Sequence, residues 1–589
     1  MKRLILLCLL FVSFVVSAQT EDFVTEKIQL NYLGLSESTI NFRNIPLIGA
    51  TREKIGDDRE GRRKNLINNP AALLEGIDPV LQASTPTIQV AVNQQLTVEG
   101  PDYTNASLNP PDVNGEIGGT YYVHTINGSG SQVRVYNKAD GTLAGQFSTN
   151  TALWNPLNLT SLGDPVILYD EVAQRWILVE MRNTGNQILF AVSQTNNPLG
   201  AWHLYAFSTS AFPDFPKLSI WNNAILMTDN ENRLSAAPIY AINKSAVYAG
   251  TASTILRTTI PFVAGVVFQP LTPIDWDGTT APTGDPMVIR MYDDIWSNSG
   301  GADHVELRTI AINFTTNTIT PSAAINLNTA AFNSFFCSSF NCLAQPSPGP
   351  LLDNQAEYIN FRSQYRNFGT HESVVCAFGV NVDGTNNGRS GIRWMELRKI
   401  GAGAWSIYQQ GTYAPADGLS RFVASIAIDA FNNIALGYNV VNSTTKFYSA
   451  RVTGRLVSDA LGTMTFDELE FATGTHATLS SRTGDYYSVS VDPADGKTFW
   501  FTSHYAKTGT NWGTKIIAFK LEPDCTIPAI ASYTVCQNAT VPVGEGLVFP
   551  TALRNEVSSS IISGTTYRRG IGNNVTTYTA SGIGTAVFY

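Results

Sequence analysis

The stretch "RTGDYYSVSVDPADGKTFWFTSHY", from Arg482 to Tyr505, sets an arginine, an acid and paired tyrosines beside a D-P-x-D-G turn. Arginine, carboxylate and tyrosine are tools of sugar cleavage. A guanidinium fork matches a ligand carboxylate. A tyrosine can serve as nucleophile with an acid as base, in place of the usual carboxylate pair. The candidate set is Arg362, Arg421 and Arg482, with Tyr486 or Tyr487, and Asp485 or Glu372. Three readings stay open: a catalytic site, a pocket for an anionic ligand without turnover, and salt bridges between structural units involving Asp164, Asp285, Asp353 or Asp485.

A second group sits in "PPDVNGEIGG", where Asp112, Asn114 and Glu116 alternate as oxygen donors around Gly115. That spacing can wrap Ca²⁺, but the remaining ligands of an EF-hand loop are missing, including its final Glu. A metal-free Asx-rich turn is the competing reading. No other cofactor is indicated. His371-Glu372 is followed by Ser-Val-Val, so no H-E-x-x-H motif exists, and neither a G-x-S-x-G elbow nor a P-loop appears.

The elements that must position these residues are strands. Charged residues make up only 14% of the chain, while it holds 47 glycines and is 11% aromatic. That balance suits a large secreted β protein with many turns. From about Leu96 to Lys520, short apolar or alternating runs are separated by Asn/Gly/Asp/Pro turns, and long amphipathic helices are absent. A loose unit recurs, beginning at Asp112, Asp164, Asp214, Asp285, near Asp353, at Arg421 and at Arg482. Its spacing, roughly 50 to 70 residues, fits a four-stranded blade with variable loops. The expected architecture is all-β: a β-propeller of about seven blades, with six or eight as alternatives, followed by the start of a β-sandwich module.

The ends set the context. Lys2 and Arg3, the apolar run Leu4 to Val16 and the small residues Val16-Ser17-Ala18 read as a secretory signal over residues 1–18. Residues 19–95 form a prefix or linker, 96–521 the propeller and 522–589 the start of the sandwich-like module. The chain stops within an apolar strand, "GIGTAVFY", and reads as a fragment. No later stretch is apolar and long enough to span a bilayer. Net charge is -9, and the mixed-sign run "REKIGDDREGRRK" lacks interleaved aromatics, which argues against nucleic acid. Cys337 with Cys342, and Cys525 with Cys536, are close enough for disulfide clips, while Cys376 reads as a lone buried thiol.

The ordered motifs "PPDVNGEIGG", "GDPVILYDEVAQRWIL", "AVSQTNNPLGAWHLYAF", "FPDFPKLSIW", "GIRWMELR" and "RTGDYYSVSVDPADGKTFWFTSHY" together resemble large secreted bacterial β-propeller proteins of the Bacteroidetes type. The match covers about Leu96 to Lys520. The group has no defined activity and is distantly similar to sialidase propellers. The resemblance implies a sorting signal for the secretion machinery downstream of the given chain. It also implies Asp-box-like turns, whose pattern is roughly S-x-D-x-G-x-x-W. Ser490, Asp492, Asp495, Gly496, Thr498 and Trp500 follow that order with looser spacing, and Ser425, Asp429, Asn432 and Asn433 are a counterpart one unit earlier. An Asp staples turn amides, Gly supplies φ > 0 and Trp packs between sheets.

The functional expectation is a non-enzymatic binding or adhesion module, secreted or at the cell surface, whose partner is a glycan or another extracellular polymer. The alternatives are a sialidase-like glycoside hydrolase using the Arg/Tyr/Asp set, and a structural spacer in a larger surface protein.

Overall fold

The computed structural model describes residues 23–36, 78–84 and 90–522, apart from short breaks at 183, 232–234, 264–268, 297–301, 338, 386 and 510, and also the strands Thr540–Pro542 and Thr577–Thr579. The chain divides into two compact units, Met1–Pro523 and Asp524–Tyr589. In the second, the two short strands pair with each other. The expected sandwich, and Cys525 and Cys536, otherwise lie outside the described residues.

The first unit is a seven-bladed β-propeller: three separate four-stranded sheets, and two larger sheets that each contain two more blades. The blades begin with the inner strands Asn114–Ile117, Gly163–Asp170, Lys217–Ile220, Thr272–Trp276, Ser363–Asn367, Ser420–Ile428 and Val489–Val491. We number the blades 1 to 7 in that order. Each inner strand lies against the next, and the seventh returns to the first, which closes the ring. Apolar residues on both faces of every blade explain why none can stand alone. Leu178 and Ala191 of blade 2 pack toward blade 1, whereas Ile177 and Val192 pack toward blade 3.

Ring closure uses the prefix. Asn93–Asp102, from before blade 1, is the outer strand of blade 7 and pairs antiparallel with Gly513–Lys520. Two earlier pieces also join the ring. Glu26–Leu35 bridges the outer strands of blades 2 and 3, and Leu81–Gln82 adds to the edge of blade 5. The prefix is therefore part of the propeller over these residues, beyond the linker role expected for it.

One unit boundary needs correction. Gly163-Asp164-Pro165 opens an inner strand, but Gly284-Asp285-Pro286 precedes Met287–Tyr292, the second strand of blade 4. The inner strand there is "TPIDW", whose short run and proline hide it from a pattern search.

Five contacts between blades share one device. Apart from the parallel pairing of Thr272–Trp276 with Ser363–Asn367, inner strands have no strand neighbour in the next blade, and buried amides need partners. A polar side chain from the adjacent blade supplies one. Asn114 accepts from the Ile167 N–H at 2.8 Å, Asp275 from Ile220 at 2.7 Å, Asn360 from Ala424 at 3.1 Å, Gln364 from Ile428 at 2.5 Å, and Ser425 from Val489 at 2.9 Å. The last three pairs are each 64 residues apart, so blades 5, 6 and 7 repeat in strict register.

Candidate site: two charged clusters on the propeller axis

The proximal end of the channel is where the inner strands begin. Asp164 of blade 2 accepts from the Tyr486 hydroxyl of the blade 7 lead-in at 2.9 Å. Blade 1 lies between those two, so this bond reaches past a whole blade. The Asn127 amide joins Asp112, at 2.6 Å, to Asp164, at 3.3 Å. Asp485 accepts from Gln355, whose carbonyl oxygen accepts in turn from the Tyr358 hydroxyl at 2.7 Å. The Phe215 ring meets Tyr486 at 5.5 Å and Tyr358 at 5.2 Å. All three rings are buried and pack together at this end. Burial and the surrounding Asp164, Asp485, Asp112 and Asp214 push the Tyr486 hydroxyl well above its ordinary pKa. That direction is wrong for a nucleophile, which needs its phenolate.

The distal end gathers charge. The Arg362 guanidinium contacts Glu116 of blade 1 at 3.3 Å, and also Asp275 and Asp277 at the end of the first strand of blade 4. Blades 1 and 5 are not neighbours, so the Glu116–Arg362 pair spans the channel. Gln364 donates to Asp277 at 2.6 Å. Glu171, just past the inner strand of blade 2, accepts from the Gly278 N–H at 2.9 Å, and blade 3 lies between them. Three carboxylates from two blades thus meet Arg362, and Glu171, from a third, lies in the field of Arg366, whose Nε donates to the Ile428 carbonyl at 3.2 Å. Burial pushes the Glu116 carboxyl up to about 7, against the pull of Arg362. Burial, reinforced by Asp277, pushes Glu171 up to about 8. Burial likewise raises Asp275, opposed by Arg362. Glu171 is half-buried and brings the cluster to the rim, beside the exposed Val172.

The three arginines singled out by sequence do not form one clamp. Arg421 is held by Glu468 at 2.7 Å and Asp417 at 2.8 Å within blade 6, where Tyr438 also donates to Glu468. Arg482 bonds Asp485 at 2.9 Å. Arg362 holds the distal cluster. Glu372 stands apart on the second strand of blade 5, accepting from Tyr365 at 2.9 Å and Lys399 at 3.2 Å. The Tyr487 hydroxyl meets Tyr448 at 2.7 Å and His504 at 2.5 Å. Each group is held by its own neighbours, and of the four aspartates named for bridges between units only Asp485 pairs with one of these arginines, its near neighbour Arg482.

The calcium candidates also part company. Asp112 takes the Asn127 amide, Asn114 uses both ends of its amide on Ile167 and the Tyr486 carbonyl, and Glu116 faces Arg362. Among the described residues, the acidic oxygens that do lie within 4.8 Å of one another are those of Asp293, Asp294 and Asp303. The Asp293 and Asp303 oxygens there accept backbone amides of Ile295, Ser334, Asp294 and Phe332.

The turn residues behave as staples. Asp495 accepts from the Lys497 and Thr498 amides, both at 2.9 Å, and Asp492 from Ala494 at 2.9 Å. Gly496 has φ 63°, and Trp500 stacks on Tyr122 of blade 1 at 5.1 Å. Asp429 caps the equivalent turn of blade 6 through Phe431 and Asn433. Asp170 caps that of blade 2 through Val172 and Ala173, a repetition the sequence reading missed. It also missed Glu171, Asp275, Asp277 and Arg366. The available signal was "IDWDG", with two acids one residue apart at a strand end. The Cys337–Cys342 disulfide is present, and Cys376 is a free buried thiol pushed up to about 12 by burial.

No protein-family model and no curated protein matches the chain. Solved structures that it resembles include the Cps50 (Swd1) β-propeller domain of Myceliophteria thermophila, at 10% identity over 73% of this chain and 100% of that one, TM-score 0.33. The α-L-arabinofuranosidase Arb93A of Fusarium graminearum is matched at 10% identity over 59% and 90%, TM-score 0.31. A protein of unknown function from Dyadobacter fermentans is matched at 10% identity over 61% and 94%, TM-score 0.30. The propeller assignment itself rests on the seven blades and their cyclic order.

Proposed function

We propose that this protein is a secreted, non-enzymatic β-propeller that binds a glycan or similar hydroxyl-rich polymer at the cell surface. The observation that carries this reading is that every arginine and tyrosine a sialidase-like site would use is neutralised or buried by neighbours of its own. Secretion is supported by the charged and apolar leader and by the disulfide, since disulfides persist in oxidising compartments. Among the described residues, no helix is long and apolar enough to cross a membrane. The Bacteroidetes-type resemblance agrees with this setting.

The distal rim is the contact surface this reading uses. Glu116 and Glu171, raised to about 7 and 8, hold protons near neutral pH, so the rim offers carboxyl donors and acceptors and no free cation for a carboxylate-bearing sugar. Carboxyl and amide groups bond sugar hydroxyls well. A neutral glycan is therefore the expected ligand. A glycan array with the full chain tests it, beside fluorogenic glycosides including a sialoside. The expected result is retention of neutral glycans without turnover, weakened by Glu171→Gln. Binding restricted to sialylated glycans would overturn the choice of ligand.

A glycoside hydrolase is the second reading, favoured by one observation. A carboxyl raised to about 8 beside another acid is the pairing a general acid needs. Turnover that Glu171→Gln abolishes would establish it. Silence in both assays would leave the structural spacer.

A further inference from the structure

Among the described residues, two aromatic side chains are exposed, Phe431 at 51% and Tyr408 at 41%. Both stand at the distal end of neighbouring blades. Phe431 is in the turn after the inner strand of blade 6, and Tyr408 is near the start of Ser406–Tyr413, the outer strand of blade 5. Each ring has a cation packed on it. The Arg398 guanidinium lies 3.5 Å from the centroid of Tyr408, and the Lys497 ammonium 5.3 Å from that of Phe431. Those cations are held in turn, Arg398 by the buried Glu396 at 2.5 Å and Lys497 by Glu522. Asp429 accepts the Phe431 N–H at 2.7 Å. Both rings are therefore set in place and have little freedom to lose when a ligand covers them.

One loop of blade 6, residues 456–468, links the two rings. Beside Phe431, the Val457 N–H donates to the Asn433 side chain at 3.0 Å. Beside Tyr408, the Gly462 N–H donates to the Gln409 side chain at 3.1 Å. Val457 and Leu461, both exposed, stand between those points. Arg455 braces the loop by donating to the Thr463 and Asp459 carbonyls at 3.1 and 2.8 Å. Single exposed apolar side chains are ordinary, but a row of four on a braced loop, with an aromatic ring at each end, marks an interaction site.

The chemistry of the row selects its ligand. Arg398 and Lys497 are already paired, so they offer no free charge to an ionic partner. The half-buried amides of Asn432 and Asn433 lie beside the apolar groups, unlike the dry apolar centre of a protein interface. A sugar ring has an apolar C–H face and a hydroxyl edge, which match an aromatic face flanked by amides. We infer that the row from Phe431 through Val457 and Leu461 to Tyr408 is a stacking platform for a neutral oligosaccharide. This rests on the glycan-binding reading and adds where the sugar chain lies, across the distal loops of blades 6 and 5.

The glycan array tests it with the full chain, using Phe431→Ala and Tyr408→Ala, alone and together, beside Glu171→Gln and the exposed control Leu143→Ser. Each ring change should weaken retention of neutral oligosaccharides about tenfold. The double change should abolish it, Leu143→Ser should leave it unchanged, and matching monosaccharides should not be retained. Thermal midpoints should stay at the wild-type value, because both rings are exposed. If the ring variants bind as the wild-type chain does while Glu171→Gln weakens binding, the platform is overturned and the glycan-binding reading stands. If the wild-type chain retains no glycan, both fall. Self-association by sedimentation that Phe431→Ala dissolves would assign the row to a second copy of the chain and overturn the inference as well.

Discussion

The two ends of the channel solve the burial of carboxylates in opposite ways. At the proximal end, Asp112 and Asp164 are held by an amide and a phenol beside three packed aromatic rings, while Asp485 takes an amide and the Arg482 guanidinium. At the distal end, Glu116, Asp275 and Asp277 share one guanidinium, and Glu171 extends to the rim. Neutral donors orient Asp112 and Asp164 without adding charge, and Asp485 has a guanidinium to itself, so the proximal cluster is a fixed joint. A shared guanidinium cannot neutralise several acids, so protons must, and the distal cluster changes charge near neutral pH. The difference separates a fixed joint from a cluster whose charge follows pH.

The comparison can be broken most severely at Arg362. Arg362→Leu strands three buried carboxylates and should cost about 3–5 kcal/mol, as breaking a buried ion pair does. Urea denaturation would read this as a lower midpoint. A loss under about 1 kcal/mol would mean that the acids are already neutral without it.

The proximal counterpart is milder. Tyr486→Phe removes one donor from Asp164 but leaves Asn127, for an expected loss of about 1–2 kcal/mol and unchanged glycan binding. If binding fell instead, the proximal end would be a ligand site. Asp495→Ala, which removes a staple remote from both clusters, should cost about 1 kcal/mol in the same denaturation series and leave pH dependence as it was.

The smallest effect on stability sharpens the comparison most. Glu116 and Glu171 have folded values of about 7 and 8 against 4.5 ordinarily. An acid raised on folding contributes stability that is complete below about 4.5 and is lost as pH rises through its folded value. The thermal midpoint should therefore decline between pH 5 and pH 8. Glu171→Gln should flatten the upper part of that decline, while Tyr486→Phe should shift the curve without altering its slope. His124 and His504, lowered by burial to about 3, act oppositely. Their share is complete above the ordinary 6.5 and is lost as pH falls toward 3.

What could be read along the chain was local. Alternating apolar runs and D-G turns placed the blades, because strand period and turn chemistry involve adjacent residues. Asp492, Asp495 and Gly496 were legible for the same reason, as was the clip between Cys337 and Cys342 five residues apart. The inner strand of blade 4 was not, because "TPIDW" carries a proline and too few alternations.

The sequence by itself thus determined strand, turn, blade repeat and short-range staples, since neighbours along the chain enforce them. Only the tertiary structure decided which charges meet. Glu116 and Arg362 are 246 residues apart, and Tyr486 and Asp164 are 322 apart. Ring closure sets those distances, and no local pattern encodes them. That is why three arginines that look like one clamp are held in three separate places, and why the acids beside Arg362 became visible only when the blades came together.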